Sequence, residues 1–132
     1  MAYYNALTCK ADLGITDASQ DSNVAIWGPK ADDDIDNMIY LMASKSSKQT
    51  ALPVLPLTTA PTSVKEASNY LVKASYFEYI RDYKSSKEMR DIATARIQEY
   101  IDRLQVDREI YGAVIGDKTL LTNSSVTYIP TY

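Results

Sequence analysis

Met89, Ile92, Ala93, Ile97, Tyr100, Ile101 and Leu104 keep a 3-4-3 spacing that only an α-helix gathers onto one side. Sustained over about four turns, the rhythm commits this stretch to a long amphipathic helix whose stripe packs against apolar surface. Ser85 and Glu88 stand at capping-box spacing just upstream, which predicts a break and restart there. On the outer face, Lys87 with Asp91 and Glu99 with Arg103 fall at i, i+4, the spacing of a solvated ion-paired surface.

A second long helix is expected from Ser63, where Ser63 and Glu66 form another capping box and Pro61 precedes them. Val64, Ala67, Leu71, Ala74 and Phe77 give it a face with Tyr70 alongside, and Tyr76, Tyr79 and Tyr83 extend that face as an aromatic surface. Ile35, Met38, Ile39 and Met42 repeat the pattern more briefly and predict a medium helix over about 33–48. Asp32, Asp33 and Asp34 crowd its expected start and Lys45 and Lys48 its end, the signs a helix dipole prefers. A short helix is expected over 8–14, with Thr8 as N-cap and Gly14 as left-handed stop.

Between these elements, residues 15–30 are rich in Asp, Ser, Asn, Gly and Pro, and Gly28-Pro29 cuts off a short apolar island. That stretch reads as a loop with Trp27 as its buried anchor. Three of the five prolines lie within 50–62, so this crossing is expected to be extended and packed. After Gly112 the β-branched residues and Gly, Asn and Ser breaks predict an extended, β-like arm. The expected fold is therefore mainly α: a small helical bundle of two long helices, one medium and one short, over 1–112, with a C-terminal arm over 113–132. A strand without an internal sheet seeks a partner, so the arm is expected to pair with a neighbouring chain.

Composition narrows the chemistry. The 132 residues include no His and one Cys, which removes His-based triads, His-ligated zinc, and an internal disulfide. A net charge of −3 is too acidic on average for a chain whose main work is gripping phosphates. No apolar run is long enough to span a bilayer, and Met1 to Asn5 carry no basic n-region or apolar h-region of a secretory signal. The sequence thus predicts neither a membrane partner nor export.

Individual motifs fall short of a site. Asp32, Asp34 and Asp36 match the first ligand positions of a calcium loop, but Asn37 replaces its glycine and Ala43 its final glutamate. Gly112 to Gly116 lacks the Gly-Lys-Ser/Thr of a phosphate loop, and Asn123-Ser124-Ser125 is a sequon without a secretory context. Cys9 has no His to activate it, and Glu66, Glu78, Glu88, Glu99 and Glu109 fall at expected caps or outer faces. No catalytic residue, cofactor or metal site is expected, and the chain does not read as an enzyme. Arg81, Lys84, Lys87 and Arg90 gather at the junction of the two long helices, beside Tyr79 and Tyr83. They would be the phosphate contacts if the chain were instead a small helical nucleic-acid-binding or regulatory module.

The 11 Tyr, against one Phe and one Trp, point to half-buried positions and interfaces, since a tyrosine ring buries while its hydroxyl keeps a polar partner. The order of elements, with Asp36-Asn37-Met38-Ile39-Tyr40-Leu41-Met42-Ala43-Ser44 and Val64-Lys65-Glu66-Ala67-Ser68-Asn69-Tyr70-Leu71, resembles the head-tail connector, or head-completion adaptor, proteins of tailed viruses of bacteria and archaea. The resemblance covers about 7–104. It implies a structural virion protein at the neck, assembled in the host cytoplasm as a ring of about a dozen copies. The implied partners are other copies, the portal protein, tail or neck proteins, and genomic DNA passing through without sequence-specific binding. Both ends and the aromatic surface are the expected partner contacts: Tyr3, Tyr4, Tyr76, Tyr79, Tyr83, Val126, Tyr128, Ile129 and Tyr132.

Overall fold

The computed structural model describes residues 2–45 and 53–115, with side-chain surroundings through 104. These residues form four helices, α1 (Ala6–Asp12), α2 (Asp21–Ser44), α3 (Thr62–Tyr79) and α4 (Tyr83–Ile115), with no strand among them. The mainly α class follows from the sequence, and the fourth helix is the longest at 33 residues. Two units divide the chain, Met1–Ile101 and Asp102–Tyr132; in the second, α4 continues to Ile115. Ala113, Val114 and Ile115 are therefore helical where an extended arm was expected, because intrahelical bonding carries α4 past Gly112. The rest of the expected arm lies outside the described residues.

The largest correction concerns α2. It begins at Asp21, within the stretch expected to be a loop, and runs 24 residues with Pro29 inside it. Its buried positions, Val24, Gly28, Ala31, Ile35, Ile39 and Ala43, recur at helical spacing once small residues count as core. Interior proline costs about 3 kcal/mol, which this stripe of packing offsets. Asp32, Asp33 and Asp34 consequently sit in the middle of α2 and cap nothing, and Trp27 is half-buried on it.

The other helix starts are also set differently. Asn5, not Thr8, caps α1, its side chain accepting the Thr8 N–H at 3.0 Å. Gly14 ends the turn after α1 at φ +75°, as expected of a left-handed stop. Pro61 precedes α3 with no side-chain cap bond, so the Ser63–Glu66 box does not form. Asp82 caps α4, accepting from the Ser85 N–H at 3.1 Å and the Ser85 hydroxyl at 2.8 Å, where Ser85 was expected to cap. Those bonds hold the Asp82 carboxyl below its usual range.

The core of the first unit sits where the stripes meet: Val64, Ala67, Leu71, Val72 and Ala74 of α3, the α2 stripe, and Ala93, Ile97 and Ile101 of α4. Cys9 anchors α1 in it, and Leu57 and Ala60 plug it from the proline-rich crossing, where the Leu55–Pro56 peptide bond is cis. Ion pairs fasten the rims. Lys73 of α3 reaches Asp12 of α1 at 3.0 Å and lies 4.1 Å above the Tyr70 ring, while Arg90 and Arg96 of α4 reach Glu78 and Glu66 of α3. On the outer face Lys87 meets Asp91 as expected, whereas Glu99 meets Arg96.

Candidate partner-contact surfaces

The N-terminal segment is tied to three other elements by one carboxylate and one phenol. Asp32 accepts from the Tyr3 N–H at 3.2 Å, the Tyr4 N–H at 3.3 Å and the Ser68 hydroxyl at 2.7 Å. One turn on, Asp36 accepts the Tyr3 hydroxyl at 2.7 Å, and that same hydroxyl oxygen accepts the Leu57 N–H at 2.7 Å. Asn69 adds a fourth link by accepting the Asn5 N–H at 2.8 Å. Tyr3 is 2% exposed, so this member of the expected interface is a core residue. Burial, then the hydrogen bond to Asp36, pushes its phenol up to about 12.

Tyr4 is half-buried, and its ring lies against the bare Cα of Gly28 so closely that a Cβ there would overlap it. Glycine is needed at this point of α2 for that approach and not for any unusual backbone angle. Beside it, Tyr3, Pro29, Asp32, Asp33, Asp36 and Pro56 line an open concavity of about 250 Å³. Asp34 lies off this group, paired with Lys30 at 3.2 Å, so the calcium-like triplet does not converge. Among the described residues no group of three or more Cys, Asp or Glu side chains could hold a metal ion.

Opposite this face of α2 is the aromatic corner. Trp27 packs edge-on against Tyr76 with ring centroids 6.4 Å apart and at a tilt against Tyr79 at 5.8 Å, and Tyr76 meets Phe77 at 5.7 Å. The sequence named Tyr76, Tyr79 and Tyr83 for this surface; the structure adds Trp27. Tyr79 is 59% exposed and Tyr83 64%, with Ile26 and Ile80 also exposed. Aromatic residues are enriched at interfaces relative to the rest of a protein's surface. Val126, Tyr128, Ile129 and Tyr132 lie outside the described residues.

The basic residues at the same junction divide into two kinds. Lys87 and Arg90 are neutralised by Asp91 at 2.8 Å and Glu78 at 3.2 Å, and the Asp91 bond holds the Lys87 ammonium above its ordinary range. Arg81 and Lys84 are exposed and, among the described residues, in no ion pair. Arg81 turns the chain between α3 and α4 at φ +66°.

Cys9 is fully buried with its thiol 3.3 Å from Asn69 Oδ1. Burial pushes the thiol up to about 11, the condition of an inert core cysteine. Among the described residues, no helix is long and apolar enough to cross a membrane. Protein-family models, curated proteins and solved structures give no match to this chain.

Proposed function

We propose that this chain is a structural virion protein, a head-tail adaptor whose copies form a ring between portal and tail and line the channel through which DNA passes. The observation that carries the reading is the aromatic corner, where Trp27 packs with Tyr76 and Tyr79 and where the Tyr79 and Tyr83 rings are exposed. Such a surface is an adhesive feature, suited to subunits and neighbouring neck proteins. The acidic net charge agrees with a channel wall that lets phosphates slide without trapping them.

The competing reading is a small helical nucleic-acid-binding module working through 81–90. It is weakened by the pairing of Lys87 and Arg90, which leaves two of the four cations for phosphate. Sedimentation velocity of the full chain, alone and with a short labelled DNA duplex at low salt, separates the two. The adaptor reading predicts a self-assembled species with the duplex sedimenting free. A monomer that carries the duplex, and releases it as salt rises, would overturn it.

A further inference from the structure

We infer that residues 2–4 and the proline-rich crossing over 53–60 form one latch, which opens as a unit while the helices stay in place and so governs access to one side of α2. The proposal stands apart from the adaptor reading and does not rest on self-assembly.

Among the described residues, neither segment makes a backbone-to-backbone hydrogen bond. Their tied amides are held by side chains instead: Asp32 takes the Tyr3 and Tyr4 N–H groups, and the Tyr3 hydroxyl takes the Leu57 N–H. Among the same residues that last bond is the only one the crossing makes, so its hydrogen bonding runs through Tyr3 to Asp36 of α2. Apolar anchoring is limited in the same way. Tyr3, Leu57 and Ala60 are buried, whereas Val54 is 83% exposed and Pro56 is open to solvent. Segments with few buried side chains and no ladder of their own open at lower cost than the helices they lie on.

The shared residue is what couples the two segments. Departure of residues 2–4 leaves the buried Leu57 N–H without a partner, a penalty that is relieved when the crossing leaves as well. On the other side α1 bounds the unit. Asn5 caps that helix and donates to Asn69 of α3, Cys9 is buried, and Lys10 and Lys73 pair with Asp21 and Asp12, so α1 stays docked when residues 2–4 swing away. Once open, α2 presents the bare Gly28 backbone beside the space left by the Tyr3 ring, with Asp32 and Asp36 stripped of their Tyr3 and Tyr4 donors. The closed latch withholds that slot and keeps both carboxylates occupied.

Native-state hydrogen exchange, read by NMR on the full chain, tests this. In wild type the Tyr3, Tyr4 and Leu57 amides are expected to show protection within about threefold of one another, and at least about a hundredfold below that of Leu71 and Val72 in α3. Small additions of urea are expected to change the three latch amides together and only weakly, and the two α3 amides steeply. Asp32→Asn weakens the bonds to Tyr3 and Tyr4 and alters no hydrogen bond of the crossing. It is nevertheless expected to speed exchange at Leu57 at least about tenfold. Exchange at Tyr3 and Tyr4 that rises while Leu57 is unchanged would overturn the coupling. Latch amides as protected as Leu71 and Val72 would mean that the segments open only when the whole unit unfolds, and a Leu57 amide as unprotected as that of Val54 would mean that no latch holds it; either wild-type result overturns the proposal without any variant.

Discussion

The Tyr3 hydroxyl donates to Asp36 at 2.7 Å while its oxygen accepts the Leu57 N–H at the same distance, so one phenol joins the N-terminal segment, α2 and the proline-rich crossing. Tyr3→Phe keeps the ring and removes both bonds, leaving a buried backbone N–H without a partner, a loss of about 1–3 kcal/mol. Urea denaturation is expected to show that loss at neutral pH; a midpoint equal to wild type would contradict it.

The same phenol gives an alkaline signature. Its folded value of about 12 lies above the ordinary 10.0, so the native state holds the proton more tightly than the unfolded chain. The stabilisation is complete below pH 10 and is lost as pH rises toward 12. Wild type is therefore expected to lose stability faster than Tyr3→Phe across that window in paired denaturation curves, and parallel curves would contradict the assigned burial.

Asp32 concentrates three donors on one carboxylate. Asp32→Asn replaces an acceptor oxygen with an amide that faces N–H groups, and the loss of charge-assisted bonds costs about 1.5–3 kcal/mol. Hydrogen exchange is expected to rise first at the Tyr3 and Tyr4 amides. Uniformly raised exchange, with those amides no more affected than the rest, would show that Asp32 does not hold the segment.

Gly28→Ala sets helix propensity, which favours alanine by about 1 kcal/mol, against overpacking of the Tyr4 ring at about 1–3 kcal/mol. The substitution is expected to destabilise wild type and to stabilise a Tyr4→Ala background, a change of sign readable by a double-mutant cycle. Equal effects in both backgrounds would mean that the ring does not press on this glycine.

Cys9, buried and with its thiol pushed up to about 11, is expected to resist iodoacetamide at pH 8 in the native protein and to react promptly in urea. Rapid native alkylation would contradict the packing of α1.

What the sequence reveals follows the range of the forces involved. Ala93, Ile97 and Ile101, and Val64, Ala67, Leu71 and Ala74, are buried where their spacing places them, because a stripe of apolar residues depends only on helical geometry. The start of α2 is hidden because Gly28-Pro29 is a breaker pair by local rules. What overrides it is the Tyr4 ring on Gly28 and a stripe built partly from Ala31 and Ala43, which only the folded chain supplies. Asp32 is misread for the same reason: its donors, from Tyr3, Tyr4 and Ser68, are about 30 residues away along the chain. Tyr76, Tyr79 and Tyr83 are visible as a surface at helical spacing. Trp27 joins them only through tertiary contact, which becomes visible once α2 is known to be continuous.

Electron microscopy of the full-length protein, negatively stained across a range of concentrations at low salt, tests the central claim most directly. The adaptor account predicts class averages of closed rings with a stain-filled central opening. Compact particles of single-copy size at every concentration, with no rings among them, would contradict it.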